Sequence, residues 1–183
     1  KNMTRILIFG SKGMLGHVLF KYLTDSKKYD IVNSENKVFK YDSHYPVDAR
    51  NKNEVEKYLK KIKPDIVINC IGILVKDSEK NIEDAILINS LFPILLSRLG
   101  DQLNFKLIHV STDCVFSGKK GNYSEISISD AESIYGRSKS LGEFVSQKSL
   151  VIRTSIIGPE LKTNGSGLFN WFLHQTDEVE GYK

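Results

Sequence analysis

Apolar residues along the chain fall into two kinds of cluster, and the kinds alternate. Short runs that are apolar on consecutive positions and close on polar or glycine residues read as parallel strands buried on both faces. These are Arg5-Ile-Leu-Ile-Phe9, the weaker Asp30-Ile-Val-Asn33, Asp65-Ile-Val-Ile-Asn-Cys70, Phe105-Lys-Leu-Ile-His-Val110 and Leu150-Val-Ile-Arg153. Between them the apolar positions recur at helical spacing. Leu15, Val18, Leu19, Tyr22 and Leu23 share one face, and Val55, Leu59 and Ile62 mark a helix that stops before Pro64. A long helical pattern runs over 82–99 with Pro93 inside it, which predicts a kink or break at the proline. Further helices are expected over 135–147 and 168–174, while the polar stretch 34–46 gives no assignment. Strands alternating with helices specify an α/β domain with a doubly wound parallel sheet and helices on both faces. Such sheets bind ligands beyond the carboxyl ends of their strands. The polar clusters sit there: Gly10-Ser11, Asn69, Ser111-Thr112 and the segment after Arg153.

The first strand runs into Gly10-Ser-Lys-Gly13-Met-Leu-Gly16, which opens the first helix. Bare N–H groups and the helix dipole at such a turn hold a pyrophosphate, and glycines let it approach. A tight turn without a ligand is the alternative, but the strand-turn-helix context favours a dinucleotide. Gly10, Ser11, Gly13, Met14 and Leu15 are therefore candidate cofactor contacts. Selection of the dinucleotide is mixed. Asp30 starts the second strand where an acid holding the ribose of NAD(H) would end it, and Glu35 and Lys37 follow. The reading leans to NADP(H) through Lys37, with NAD(H) still open. Asp48, before a helix, is either a helix cap or an adenine contact.

Tyr135 and Lys139 stand at i and i+4 at the start of a helix, so the ammonium can sit near the phenol. Such a lysine, with a positive nicotinamide ring, is expected to lower the tyrosine pKa, and the phenol can then act as an acid on a carbonyl oxygen. A hydroxyl at a neighbouring strand end, Thr112 or Ser111, would orient the same oxygen. Alone the pair is an ordinary exposed helix pair; glycine turn, strand-end Ser-Thr and Tyr-Lys in that order make it a catalytic candidate. Asn89 is either a locally bonded residue or a brace for Lys139. His17, His44, His109 and His174 have no ligand spacing, and no metal site is expected.

Gly10 to Gly16, Asn69-Cys-Ile-Gly72, Ser111-Thr-Asp-Cys-Val-Phe-Ser-Gly118, Tyr135-Gly-Arg-Ser-Lys139 and Arg153-Thr-Ser155 occur in order. Together they resemble the extended short-chain dehydrogenases/reductases, and most of all the dTDP-4-dehydrorhamnose reductase branch, over essentially the whole chain. The resemblance implies a Rossmann-type fold and reduction of the 4-keto group of a nucleoside-diphosphate-linked deoxyhexulose, in dTDP-rhamnose or other polysaccharide synthesis. It implies a catalytic set of Thr112, Tyr135 and Lys139, adenine contacts at Asp48 and Ala49, and a cofactor-lining segment at Cys70, Ile71 and Gly72. Lys139 would also hold the nicotinamide ribose. Ser111, Thr112, Asp113, Val115, Tyr135 and Arg153 would lie at the substrate, with Asn89 behind the cofactor. Cys114 replaces the family's usual aromatic residue and Ser117 its usual aspartate, so a UDP-linked acetamido sugar stays open beside the dTDP-linked one. Relatives also continue into a smaller sugar-binding domain. The expected division is thus a nucleotide-binding domain over 1–158 and the start of a truncated substrate region over 159–183.

Composition adds little. The 183 residues, 40% hydrophobic with a formal charge of +4, suit a soluble domain, and the lysine pairs are too scattered for nucleic-acid binding. Cys70 and Cys114 each end a strand-like run and are expected to be buried free thiols of a cytoplasmic protein. No membrane span is expected. A nucleotide sugar and a homodimeric partner are the expected associations. An epimerase or dehydratase with tightly held NAD, or a non-enzymatic nucleotide-binding subunit, are the competing readings.

Overall fold

Among the described residues five parallel strands form one sheet in the order β2-β1-β3-β4-β5, with β1 Arg5–Phe9, β2 Asp30–Ser34, β3 Ile66–Asn69, β4 Lys106–Val110 and β5 Leu150–Ile152. The computed structural model describes residues 3–34, 47–161, 165, 167–176 and 178. Lys37 lies outside the described residues. Helices follow the strands: α1 Met14–Asp25, α2 Lys52–Ile62, α3 Val75–Lys80, α4 Ile82–Ala85, α5 Phe92–Leu103, α6 Ile134–Leu141 and α7 Leu168–Leu173.

The strand pleat divides the core. Leu7, Phe9, Val67 and Leu107 face one layer, where they pack with Val55 and Leu59 of α2 and with Phe92, Leu96 and Leu99 of α5. Ile6, Ile8 and Ile68 point the other way, against Leu19, Phe20 and Leu23 of α1. Successive strand residues alternate between faces, so a strand covered on both sides must be apolar on consecutive positions, as β1 is from Ile6 to Phe9. The inward stripe of α1 differs from the expected one. Val18 and Tyr22 are exposed, and Gly16, Leu19, Phe20 and Leu23 face the sheet. Val18 and Tyr22 are four apart, so they lie one above the other on the flank of that stripe.

The expected break at Pro93 takes another form. Residues Ile86–Leu91 make a π-helical turn between α4 and α5, with Phe92 N–H donating to Leu87 O, five residues back. Proline lacks the N–H that Asn89 O would accept and its ring crowds that carbonyl. The widened turn accommodates both and the helix continues. α6 is shorter than expected, ending at Leu141, and α3 is an addition. Among the described residues no helix is long and apolar enough to cross a membrane.

Candidate active site

The glycine turn sets the geometry at the end of β1. Gly10 has φ +82°, and a Cβ on Gly16 would lie 2.0 Å from Gly10 O, so the first turn of α1 rests directly on the loop backbone. Gly13 caps α1 without any side-chain hydrogen bond, leaving the first N–H groups of the helix free of a capping side chain. Ser11 is 5% exposed, and its hydroxyl has no partner among the described residues. Open helix N–H groups beside a buried, unsatisfied hydroxyl suit a bound pyrophosphate. Met14 and Leu15 stand half-buried at the start of α1.

The loop after β3 lies against this turn. Cys70 N–H donates to Phe9 O at 2.9 Å, and a Cβ on Gly10 would meet the Cys70 carbonyl carbon at 3.0 Å. Asn69 accepts from Ile71 N–H at 3.1 Å. A Cβ on Gly72 would sit 3.9 Å from Lys139 Nζ, which brings the loop to the second half of the site.

That half is built at the end of β4. Thr112, 5% exposed, caps a short 3-10 turn over Asp113–Val115: its Oγ1 accepts from Cys114 N–H at 3.1 Å and donates to Asp113 at 3.2 Å. Ser133 caps α6 by accepting from Gly136 N–H at 3.0 Å, and so starts the helix that carries Tyr135 and Lys139. Lys139 is 3% exposed and donates to Val110 O at 2.7 Å. Burial pulls its pKa down to about 8, while Glu143 and then Cys70 act to raise it. Burial pushes the Tyr135 phenol above its ordinary range, opposed by hydrogen bonding with Thr112. The expected lowering of that pKa by Lys139 is not found, because the ammonium is turned to Val110 O. The phenol is protonated at neutral pH.

Asn89 does more than the sequence suggested, and by another route. Its amide clamps Ile73, accepting from the N–H at 2.8 Å and donating to the carbonyl at 3.0 Å, and it also donates to Ser138 Oγ at 3.0 Å. Ser90 donates to Ser138 O at 2.7 Å. The π turn thus grips the residue before Lys139 from two sides and holds the loop that faces it; no bond joins Asn89 to Lys139 directly.

Other candidates are placed differently from expectation. Val115 is fully buried, and its carbonyl accepts from Asp130 N–H, Ala131 N–H and Ser129 Oγ. Asp113 is exposed; hydrogen bonding from Ser155 is the main cause holding its carboxyl below the usual range. Ser111 and Arg153 are both bound to Glu143, and the Arg153 guanidinium lies 5.0 Å from the centre of the Phe116 ring. Cys114 is exposed, against the expected burial, because it sits on the 3-10 turn beyond the strand. Cys70 is half-buried and its thiol is pushed up to about 12 by burial. Asp48 is no helix cap: Asn51 caps α2, and Arg50 forks the Asp48 carboxylate at 3.0 and 2.9 Å, beside buried Ala49. Ser117 Oγ donates to Asp130 at 2.8 Å, so a carboxylate from another position stands at this residue. A surface cleft lined by Leu59, Lys63, Asp65 and Asn104 lies at the amino ends of β3 and β4, opposite the site.

His109, fully buried in β4, accepts from Asn69 Nδ2 at 3.1 Å, and its Nε2 has no partner among the described residues. Burial, assisted by Lys139, pulls its pKa down to about 3 from 6.5. A His with a lowered folded pKa binds its proton first in the unfolded chain, so its contribution is lost as pH falls below about 6.5. We expect it to remove about 3 kcal/mol of stability between pH 7 and pH 4. Denaturant titrations of wild type and His109→Asn should show a shallower acid slope in the variant; equal slopes would mean that His109 titrates normally.

Known proteins resemble this chain in sequence and in fold. A family model described as the RmlD substrate binding domain matches residues 3–180. The chain is 33% identical over 159 residues to a dTDP-4-dehydrorhamnose reductase of Aggregatibacter actinomycetemcomitans, covering 84% of this chain and 51% of that protein. It resembles the structure of a Bacillus anthracis dTDP-4-dehydrorhamnose reductase in complex with NADP, at 28% identity and TM-score 0.72, covering 84% of this chain and 54% of that one. A hypothetical dTDP-4-dehydrorhamnose reductase from Sulfolobus tokodaii matches at 33% identity and TM-score 0.74, over 82% and 55% of the two chains. The chain spans about half the length of these relatives.

Proposed function

This chain belongs to the RmlD substrate binding domain family, and we propose from that membership that the protein reduces the 4-keto group of a dTDP-linked deoxyhexulose with NADP(H). The observation that carries the reading is the gathering of Thr112, Tyr135 and Lys139 at the end of β4, within reach of the loop that packs on the glycine turn. NADP(H) is preferred over NAD(H) because the Bacillus anthracis relative is described in complex with NADP.

In this reading the open N–H groups of α1 and Ser11 hold the pyrophosphate, Gly72 and Asn89 keep the nicotinamide side of the cleft clear and rigid, and Asp48-Ala49 border the adenine. What the dinucleotide supplies when bound is a hydride for the carbonyl carbon. Thr112, turning its one O–H from Asp113 to the substrate, fixes the carbonyl oxygen by a hydrogen bond, which also polarises it. Tyr135, protonated at neutral pH, delivers its phenolic proton to that oxygen as negative charge develops there. Lys139, its ammonium anchored on Val110 O at the end of β4, would hold the nicotinamide ribose. Asp113, exposed at the mouth, borders the sugar. The division into a nucleotide-binding part over 1–158 and a substrate part from 159 onward belongs to the same proposal.

The test is product analysis. Full-length protein given NADPH and a dTDP-linked 4-keto-6-deoxyhexose should yield the 4-hydroxy sugar with one NADPH oxidised per molecule. A UDP-linked 4-keto acetamido sugar run beside it reports on the Cys114 and Ser117 departures. Epimerised keto sugar with no net oxidation of NADPH would replace the reductase reading by an epimerase.

A further inference from the structure

One carboxylate outside the expected site residues ties that site together. Glu143 follows α6 in a tight turn, with its N–H donating to Ser140 O at 3.1 Å, and its side chain is only 11% exposed. One oxygen accepts from Ser111 Oγ at 2.6 Å. Arg153 Nε reaches both oxygens at 3.1 Å and Nη2 donates to Oε2 at 2.7 Å. Ser111 and Arg153 extend the neighbouring strands β4 and β5, which also meet through Ser111 N–H donating to Ile152 O at 2.8 Å. Ser111 lies between Val110, whose carbonyl takes the Lys139 ammonium, and Thr112. Glu143 therefore touches the strand end that positions the hydroxyl, and stands four residues beyond the lysine.

We infer that Glu143 is a positioning residue of the reductase site proposed above: by bonding Ser111 and Arg153 its carboxylate fixes the strand end that offers Val110 O to the Lys139 ammonium and presents Thr112. The groups acting with Lys139 are Glu143, Cys70 from the end of β3 and His109 in β4, with Arg153 on the far side of Glu143 and Tyr135 one turn back on α6. Cys70 is held as a thiol, His109 is held neutral and Tyr135 is protonated. Glu143 is the charge in this set that opposes the effect of burial on Lys139. Replacing it by a neutral amide removes that support and leaves the Arg153 charge uncompensated, which acts in the same direction.

The experiment follows the side-chain titration of Lys139 by NMR in full-length protein with 13C-labelled lysine, the resonance being assigned from the spectrum of Lys139→Arg. Wild type, E143Q and E143D are compared. In E143Q the Lys139 midpoint should fall by about one pH unit, and the alkaline limb of kcat/KM should move down with it. E143D, which keeps the charge, should recover a good part of the shift. Thermal denaturation of each variant shows whether loss of stability alone accompanies the change. A Lys139 midpoint unmoved in E143Q, or no better restored in E143D, would overturn the inference. Absence of reduction by the wild type would instead remove the reductase reading, and the NMR midpoint would still decide whether Glu143 keeps Lys139 charged.

Discussion

Tyr135→Phe in the full-length protein should lower kcat for sugar reduction by about 10²- to 10⁴-fold, the usual contribution of a positioned acid. Affinity for NADPH should stay within about twofold, since the phenol contributes only its proton. The ring remains, so the packing of this half-buried residue is kept. Thr112 loses a hydrogen-bond neighbour but still donates to Asp113 and accepts from Cys114 N–H. Burial keeps the phenol protonated at neutral pH, the state from which a proton is given in reduction, although it also makes the phenol a weaker acid than an exposed tyrosine. Steady-state kinetics with calorimetric titration of NADPH separates the two quantities. Loss of cofactor affinity equal to the loss of rate would make Tyr135 a binding group, and unchanged turnover would remove it as the acid.

Gly16→Ala should have the second large effect, and on a different quantity. A methyl at this position would lie 2.0 Å from Gly10 O and 2.7 Å from Gly10 C, both backbone atoms of the phosphate turn. No rotamer relieves such a clash, so α1 must move away from the turn or the turn must open. We expect a loss of about 3 kcal/mol of stability, at the upper end for overpacking. The protein that remains folded should bind NADPH at least tenfold more weakly, because the open N–H groups of α1 have moved relative to Gly10 and Ser11. Urea unfolding and calorimetry read these two outcomes. A variant with wild-type stability and affinity would show that α1 does not rest on the turn as described.

The layering of the fold was legible in the sequence because β1, β3 and β4 are apolar on both faces, a pattern that only a doubly covered sheet requires. The glycine turn and the Tyr135–Lys139 pair were legible for a similar reason: each is a short-range spacing tied to one local structure. What escaped is long-range. Glu143 bonds Ser111 and Arg153, 32 and 10 residues away, and no local spacing marks it. The role of Asn89 depends on a π turn placed by Pro93, which the helical period over 82–99 conceals. The exposure of Cys114 was not legible because the polypeptide leaves β4 at Ser111 and curls into a 3-10 turn, which buries Val115 and exposes its neighbour. The periodicity of α1 misassigned Val18 and Tyr22 because a wide apolar stripe extends beyond the strip that one sheet can cover.

At the centre of the proposed function stands the transfer of a hydride from a reduced nicotinamide to a sugar carbonyl carbon. The most direct measurement uses NADPH carrying deuterium at both positions of the nicotinamide C4, a dTDP-linked 4-keto-6-deoxyhexose and the full-length protein, with mass and NMR analysis of the sugar. Hydride transfer by this site predicts one deuterium in the product, on the sugar C4. A reduced or isomerised sugar without deuterium at that carbon would contradict it.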